Sequence, residues 1–309
     1  MADVIYVVGH KSPDTDTICS AIGYAEFKNK LEGNNLHKPA RAGELNKETK
    51  FALDKFGVKE PELVKNFGGK RVILIDHSET KQMPDGCDKA DIIEVIDHHK
   101  IGDIQTTRPI LFHAEPLGST STIVADFYFN HKIILTKSIA GLLLSSILSD
   151  TVIFKSPTTT KKDEEMAKRL AEVAGVDAYR YGMELKKAKS SIKGLRDEDV
   201  IFADFKDFDM FGKKVGIGQI EVVDPGEALQ RKEKILKKMT GLLTEKGYHA
   251  VFLMVTDILK EGTDLWAVGE ELAEIEKRVG KLFEKNSMHI DGMMSRKKEL
   301  VPILMEAYK

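Results

Sequence analysis

The chain has 309 residues, 42% of them hydrophobic and 31% charged, which is material for about two domains at roughly 100–200 residues each. Its 47 basic and 49 acidic side chains leave a formal charge of -2, which excludes the broad basic surface of a nucleic-acid-coating protein. No apolar run reaches the roughly 18 residues of a membrane span, the N-terminus lacks signal-peptide charge, and Cys19 and Cys87 make neither a disulfide framework nor a zinc knuckle. The expectation is a cytoplasmic globular protein without a membrane or nucleic-acid partner.

The first half alternates strand-like and helix-like segments. Val4–Val8 is a β-branched run ending at Gly9, followed by a polar loop from His10 to Thr17. From Ile18 the apolar residues recur at helical spacing and predict an amphipathic helix. Arg71–Ile75 and Ile92–Ile96 predict two more strands, stopping at Asp76-His77 and at Asp97-His98-His99. Strands that read as unbroken apolar runs between helices imply a parallel sheet covered on both faces, with ligands beyond the carboxyl ends of its strands. The polar clusters fall there. Ser138–Ser149 predicts a buried helix that delivers Asp150, and Thr160 with Asp163 predicts a capping box for a helix running to Ala174, closed by Gly175. Residues 186–197 read as a polar linker. Beyond it lie predicted strands at Lys214–Val223 and Ala250–Thr256 and a charged helix over Glu227–Lys246. The division is 1–187, a hinge at 188–195, and 196–309: two domains, the first an α/β domain built on a parallel sheet.

The strand ends together supply His10, Asp14, Asp16, Asp76, His77, Asp97, His98 and His99, and the helix end supplies Asp150. Carboxylates mixed with imidazole suit Mn²⁺, Co²⁺ or Fe²⁺ better than calcium or structural zinc. Asp14 and Asp16, two apart in one loop, can aim two carboxylates into one cavity. Asp76 at a neighbouring strand end could then bridge two ions roughly 3.5–4 Å apart, the clamp used for displacement at phosphorus. Taken singly, an Asp-x-Asp is more often a cap or turn, and a basic run such as Met294–Glu299 is more often a solvated face. Four clusters of metal-ligand type at successive element ends are hard to explain that way. His37, His113, His131, His249 and His289 lack such company and read as surface or packing residues.

Gly9–Thr17, Asp76-His77-Ser78, Asp97-His98-His99 and Ser149-Asp150-Thr151 resemble, in order and spacing, the four motifs of the DHH phosphoesterase superfamily. Ser295-Arg296-Lys297-Lys298 resembles the C-terminal signature of its family II, manganese-dependent inorganic pyrophosphatases. The resemblance implies an α/β fold in which an N-terminal parallel-sheet DHH domain is hinged to a smaller mixed α/β domain with the active site in the cleft between them, and a homodimer formed through the N-terminal domain. It implies one metal on His10, Asp14 and Asp76, and a second on Asp16, Asp76, His98 and Asp150. The ions would be Mn²⁺ or Co²⁺, two per subunit, with a third site for Mg²⁺ beside the substrate left open. His99, Lys206, Arg296 and Lys297 match the catalytic, substrate-contacting set. Asp97 and His77 are expected to support these from behind, with Asp97 orienting a ligand histidine.

The implied activity is hydrolysis of pyrophosphate to two orthophosphates by a water that loses its proton between two cations. Cations around the other phosphate would stabilise the leaving group. An exopolyphosphatase of the same superfamily is the nearest rival, and His10 stands against it, because that branch tends to carry asparagine there. A dinucleotide phosphodiesterase would need a glycine- and histidine-rich motif that the chain lacks. A catalytically dead regulatory protein is disfavoured by the intact ligand set, and 309 residues leave no room for a nucleotide-sensing insertion.

Overall fold

In the computed structural model, described over residues 4–309, the chain divides between Lys189 and Ser190 into two units. The first holds six parallel strands: β1 (Ile5–Val8), β2 (His37–Arg41), β3 (Glu62–Leu63), β4 (Arg71–Ile75), β5 (Asp91–Asp97) and β6 (Leu111–Ala114), in the order β3-β2-β1-β4-β5-β6. The chain leaves β1 toward β2 and later returns to the other side of β1 as β4. That reversal is the switch point of a doubly wound sheet, where ligands bind. The loop carrying His10, Asp14 and Asp16 leaves β1 at that point, and Asp76 follows β4 next door.

One sheet face carries Ile5, Val7, Ile73 and Ile75 and is covered by α1 (Thr15–Glu32) and α3 (Thr120–Asn130), behind which pack α4 (Lys137–Asp150) and α5 (Lys161–Ala174). The other carries Val8, Val72, Leu74 and Val95 and packs against Val64, Phe67 and Cys87. This accounts for the unbroken apolar runs, but the second face is covered without a helix in the β4–β5 crossover. Only the short 3₁₀ turns Thr80–Gln82 and Cys87–Lys89 occur there.

Helix α1 starts earlier than its apolar spacing suggests and is not amphipathic. Every side chain from Thr15 to Ala25 is buried, because the helix lies centrally between the sheet, α3 and α4. The predicted α4 and the Thr160–Asp163 capping box are present, and Gly175 closes α5 at φ 73. The 6→1 closure by which a residue past the helix end reaches back recurs after α1 and α2 (Lys47–Lys55), each time with glycine, Gly33 or Gly57, in the left-handed region. After α4 the same closure, Ile153 N–H to the Leu148 carbonyl at 2.9 Å, places Val152 at φ 52, where the β-branched side chain is strained.

The second unit holds β7 (Phe205–Met210), β8 (Lys213–Val222), β9 (Ala250–Asp257), β10 (Gly262–Gly269) and β11 (Ser287–Asp291) in the order β11-β10-β9-β8-β7. Only β8 and β9 run parallel, so this is the expected mixed sheet. The predicted helix over 227–246 is two pieces, Gly226–Leu229 and Lys232–Lys246. Between them Arg231 leaves helical geometry and its guanidinium binds the Asp197 carboxylate and the Leu195 carbonyl. The helix α6 (Ala178–Ser190) extends into the expected hinge. No helix among the described residues is long and apolar enough to cross a membrane.

Gly9 joins β1 to the His10 loop with no room for a side chain: a Cβ would lie 2.3 Å from the Thr17 Cγ2 and 3.0 Å from the Ile75 carbonyl. Gly9→Ala is expected to cost about 1–3 kcal/mol by overpacking. The check is the urea midpoint of the metal-free protein; an unchanged midpoint would mean the loop moves aside freely.

Candidate metal centre

Asp14 caps α1, its Oδ1 accepting from the Thr17 amide at 2.9 Å. The turn-and-cap reading of the Asp-x-Asp is therefore correct for one oxygen. The other, Oδ2, lies 3.5 Å from the His10 Nε2. Asp16, one residue into the helix, is fully buried and lies against the N-terminus of α3. It accepts from the amides of Thr120 and Ser121 and from the hydroxyls of Ser20, Ser119 and Ser146. Burial alone would push its carboxyl up, but the charge of His98 and these hydroxyls outweigh it and hold Asp16 at about 2.

Asp76 is the link between groups. It occupies the left-handed region at φ 65, its amide donates to the Ile96 carbonyl on β5, and its two oxygens accept from the Thr17 and Thr120 hydroxyls. Oδ2 lies 3.7 Å from the His10 Nε2, and Oδ1 lies 3.4 Å from the His98 Nε2. One carboxylate thus faces two clusters, His10–Asp14–Asp76 and Asp16–His98–Asp150, and a third grouping joins Asp76 to His98 and His99. Burial, and next the charge of Asp16, push the Asp76 carboxyl up to about 7; Asp150 is raised for the same reasons.

The donor set fits divalent cations on an observation independent of residue type. The His98 Nδ1 is 2.8 Å from the Leu117 carbonyl, which fixes the ring proton there, while the buried Nε2 has no hydrogen-bond partner. That nitrogen lies within 3.9 Å of Asp16, Asp76 and Asp150 oxygens, an arrangement of lone pairs that a cation satisfies. Without one, the same carboxylates push His98 up to about 10 despite its burial.

The supporting residues differ in part from expectation. The Asp97 Oδ1 accepts from the His99 amide and lies 2.9 Å from the His99 Nδ1. Asp97 therefore orients the half-exposed His99 and makes no hydrogen bond to His10 or His98. His77 is buried, bonds the Ile75 carbonyl through Nδ1, meets the His10 ring edge to face, and is pushed down to about 4 by burial. The hydroxyls of Thr17, Ser20, Ser119, Thr120 and Ser146 went unnoticed in the sequence. Gly118-Ser119-Thr120-Ser121-Thr122 ahead of an apolar run is a helix-start signal that could have found part of this set.

The second unit carries Lys206 exposed on β7 and Lys297 exposed near the C-terminus. Arg296 is buried, with guanidinium bonds to Asp204 and to the Ile217 carbonyl.

Residues 4–147 match the N-terminal domain of the DHH family, and residues 183–307 match the DHHA2 domain. This pair of matches, on a doubly wound sheet with acids at its switch point, defines a two-domain DHH protein. A manganese-dependent inorganic pyrophosphatase of Methanothrix thermoacetophila is 47% identical over 100% of both chains. That of Methanocaldococcus jannaschii is 49% identical over 98% of this chain and 99% of its own. The crystal structure of a Methanococcus jannaschii putative family II inorganic pyrophosphatase superposes with a TM-score of 0.60 at 48% identity, covering 99% of each chain. The chain belongs to the family II inorganic pyrophosphatases. An exopolyphosphatase-related protein of Bacteroides fragilis, 16% identical with a TM-score of 0.50 over 99% of this chain and 92% of its own, shares the fold.

To ligate a cation, Asp76 and Asp150 must lose their raised protons and His98 the proton on Nε2. Metal and protons compete, so apparent Mn²⁺ affinity should rise with pH, most steeply below 7 where Asp76 still holds its proton, and less steeply above it where only the more basic His98 remains to be deprotonated. Calorimetry in buffers of different ionisation enthalpy should show proton release. A pH-independent affinity without release would contradict this electrostatic picture.

Proposed function

We propose that this protein hydrolyses inorganic pyrophosphate to two orthophosphates in a Mn²⁺-dependent reaction. The observation that carries the reading is Asp76, whose two oxygens face two separate carboxylate–imidazole groups, as a residue shared by a pair of cations would. Its family relatives named manganese-dependent inorganic pyrophosphatases support the substrate and the metal.

His10, Asp14 and Asp76 would hold one ion, and Asp16, Asp76, His98 and Asp150 a second. Co²⁺ is the alternative occupant at two ions per subunit, with an additional Mg²⁺ accompanying substrate. Such ions lower the pKa of water and polarise phosphoryl oxygens. The residues do the rest. Asp16 is fixed by backbone amides and hydroxyls before any ligand arrives, and Thr17 and Thr120 fix Asp76, so little reorganisation remains. His99, steered by Asp97, presents its ring to the substrate. Lys206, Arg296 and Lys297 neutralise the phosphates from the second domain, where the leaving orthophosphate gathers charge. Domains at 1–187 and 196–309 joined by a hinge at 188–195 would let closure bring substrate to the metals and reopening release product. The polar linker composition supports that hinge. We further propose a cytoplasmic homodimer paired through the N-terminal domain. The exposed Leu111 and Phe112 on the edge strand β6 support this surface.

The chelated protein is expected to be nearly inactive on pyrophosphate, with Mn²⁺ or Co²⁺ restoring turnover. Pyrophosphate should be strongly preferred over long polyphosphate. Asp76→Asn should weaken metal binding and remove most activity. Arg296→Ala or Lys297→Ala should leave metal content intact and lower kcat/KM about tenfold to a hundredfold, from the roughly 1.5–3 kcal/mol of a charge-assisted contact. Elemental analysis alongside steady-state kinetics checks all three variants. Full activity in Mg²⁺ alone after chelation, or equal turnover on long chains, would overturn the assignment.

A further inference from the structure

Arg296 is an arginine whose fork is already half spoken for. Its Nη1 donates to the carbonyl oxygen of Asp204 at 2.5 Å and toward the Ile217 carbonyl at 3.4 Å, and its Nη2 donates to the Asp204 Oδ1 at 2.9 Å. Asp204 therefore clasps the Nη1–Nη2 end of the guanidinium with one backbone and one side-chain oxygen. A guanidinium has five N–H donors in a rigid plane. Three are used here. The Nε–H and the second Nη2–H, which share the opposite edge, take no partner among the described residues.

The clasp also fixes where that edge lies. Asp204 immediately precedes β7, and its carbonyl oxygen accepts in addition from the Gln219 amide on β8, so its position is set by the sheet. Lys206, two residues on, pairs across the strands with Ile217, the residue whose carbonyl meets the Arg296 Nη1. Arg296 is thereby tied to the stretch of sheet that presents Lys206. From the other side, the Gln219 side chain donates to the Met294 carbonyl, and the Glu299 carboxylate accepts from the amides of Met294 and Ser295. The segment leading into Arg296 is thus held independently of Asp204, and the residue's own backbone does not need the clasp.

We propose that Asp204 is a positioning residue for phosphate recognition: it orients Arg296 so that the Nε–Nη2 edge is offered to a phosphate beside Lys206. The inference rests on the pyrophosphatase reading, and it makes a prediction opposite in sign to simple charge. Asp204 is more than half exposed and negative, so a purely Coulombic account has its removal strengthen binding of an anionic substrate. Positioning has its removal weaken binding, because the guanidinium loses the acceptor that sets its orientation and bidentate geometry is lost.

The test is steady-state pyrophosphate hydrolysis by Mn²⁺-loaded wild type, Asp204→Ala, Asp204→Asn, Arg296→Ala and the double variant Asp204→Ala/Arg296→Ala, with metal content and thermal midpoint measured on each. Asp204→Ala should lower kcat/KM on the order of tenfold, mainly through KM, with metal content and midpoint unchanged. Asp204→Asn keeps an oxygen for Nη2 and should stay within about twofold of wild type. On the Arg296→Ala background the Asp204→Ala change should add nothing further, since its route to the substrate is gone. A lower KM in Asp204→Ala, an effect that multiplies that of Arg296→Ala, or a silent Asp204→Ala beside a damaging Arg296→Ala would each overturn the clasp while leaving the pyrophosphatase reading intact. A wild type inactive on pyrophosphate, or a silent Arg296→Ala, would overturn both.

Discussion

Four carboxylates buried or half-buried within a few ångströms of one another are an electrostatic problem that the first unit is organised to solve. Asp14, Asp16, Asp76 and Asp150 repel, and burial magnifies the repulsion. The fold answers unequally. Asp16 receives backbone amides at the start of α3 and hydroxyls from three elements, and stays ionised. Asp76 and Asp150 receive less and are pushed toward the protonated form. One site thus contains two standing anions, Asp14 and Asp16, and two groups whose charge awaits a cation. The parallel sheet makes this possible, because its switch point brings the ends of β1 and β4 side by side, and β5 next to them.

The second unit handles charge the other way. Lys206, Arg296 and Lys297 lie on β7 and the C-terminal segment, and Arg296 is buried only because the Asp204 carboxylate and two carbonyls meet it. Where the first unit gathers acids around His98, the second holds a single base against Asp204.

Much of this was legible in the sequence because it depends on short-range signals. Mainly apolar runs ending at Gly9, Asp76 and Asp97 gave three strands and their polar ends. The Thr160–Asp163 spacing gave a helix start, and the motifs gave the acids and histidines that gather at the switch point. What stayed hidden depends on distant partners. The hydroxyls around Asp16 come from Ser20, Ser119 and Ser146, and nothing in the sequence near Asp16 points to the last two. The central burial of α1 is set by α3 and α4, so its apolar spacing could not reveal that its polar face was buried too. Strands β2 and β6 were missed because β2 is His-Lys-Pro-Ala-Arg and β6 is mostly exposed, so neither presents a buried apolar run to read. The partner of Asp97 was misassigned for a related reason: Asp97 lies one residue before His98, yet the pleat and the turn after β5 bring it to His99.

The turn after α4 ties the metal centre to the body of the unit. Val152, Ile153 and Phe154 all hold positive φ, a backbone state that costs roughly 1–2 kcal/mol per L-residue and that the corresponding glycines after α1, α2 and α5 avoid. Such a turn persists only because packing over-determines it. Ile153 is that packing: its amide is bound to Leu148, and its side chain rests on Gly182 of α6, where an added Cβ would meet it at 3.0 Å. Asp150, three residues upstream, is therefore set by a contact with the helix whose far end is the boundary between the two units. A larger residue in place of Gly182 would press on Ile153 and be felt in the turn that ends the helix bearing Asp150, so the smallest side chain on α6 safeguards the backbone geometry of that corner.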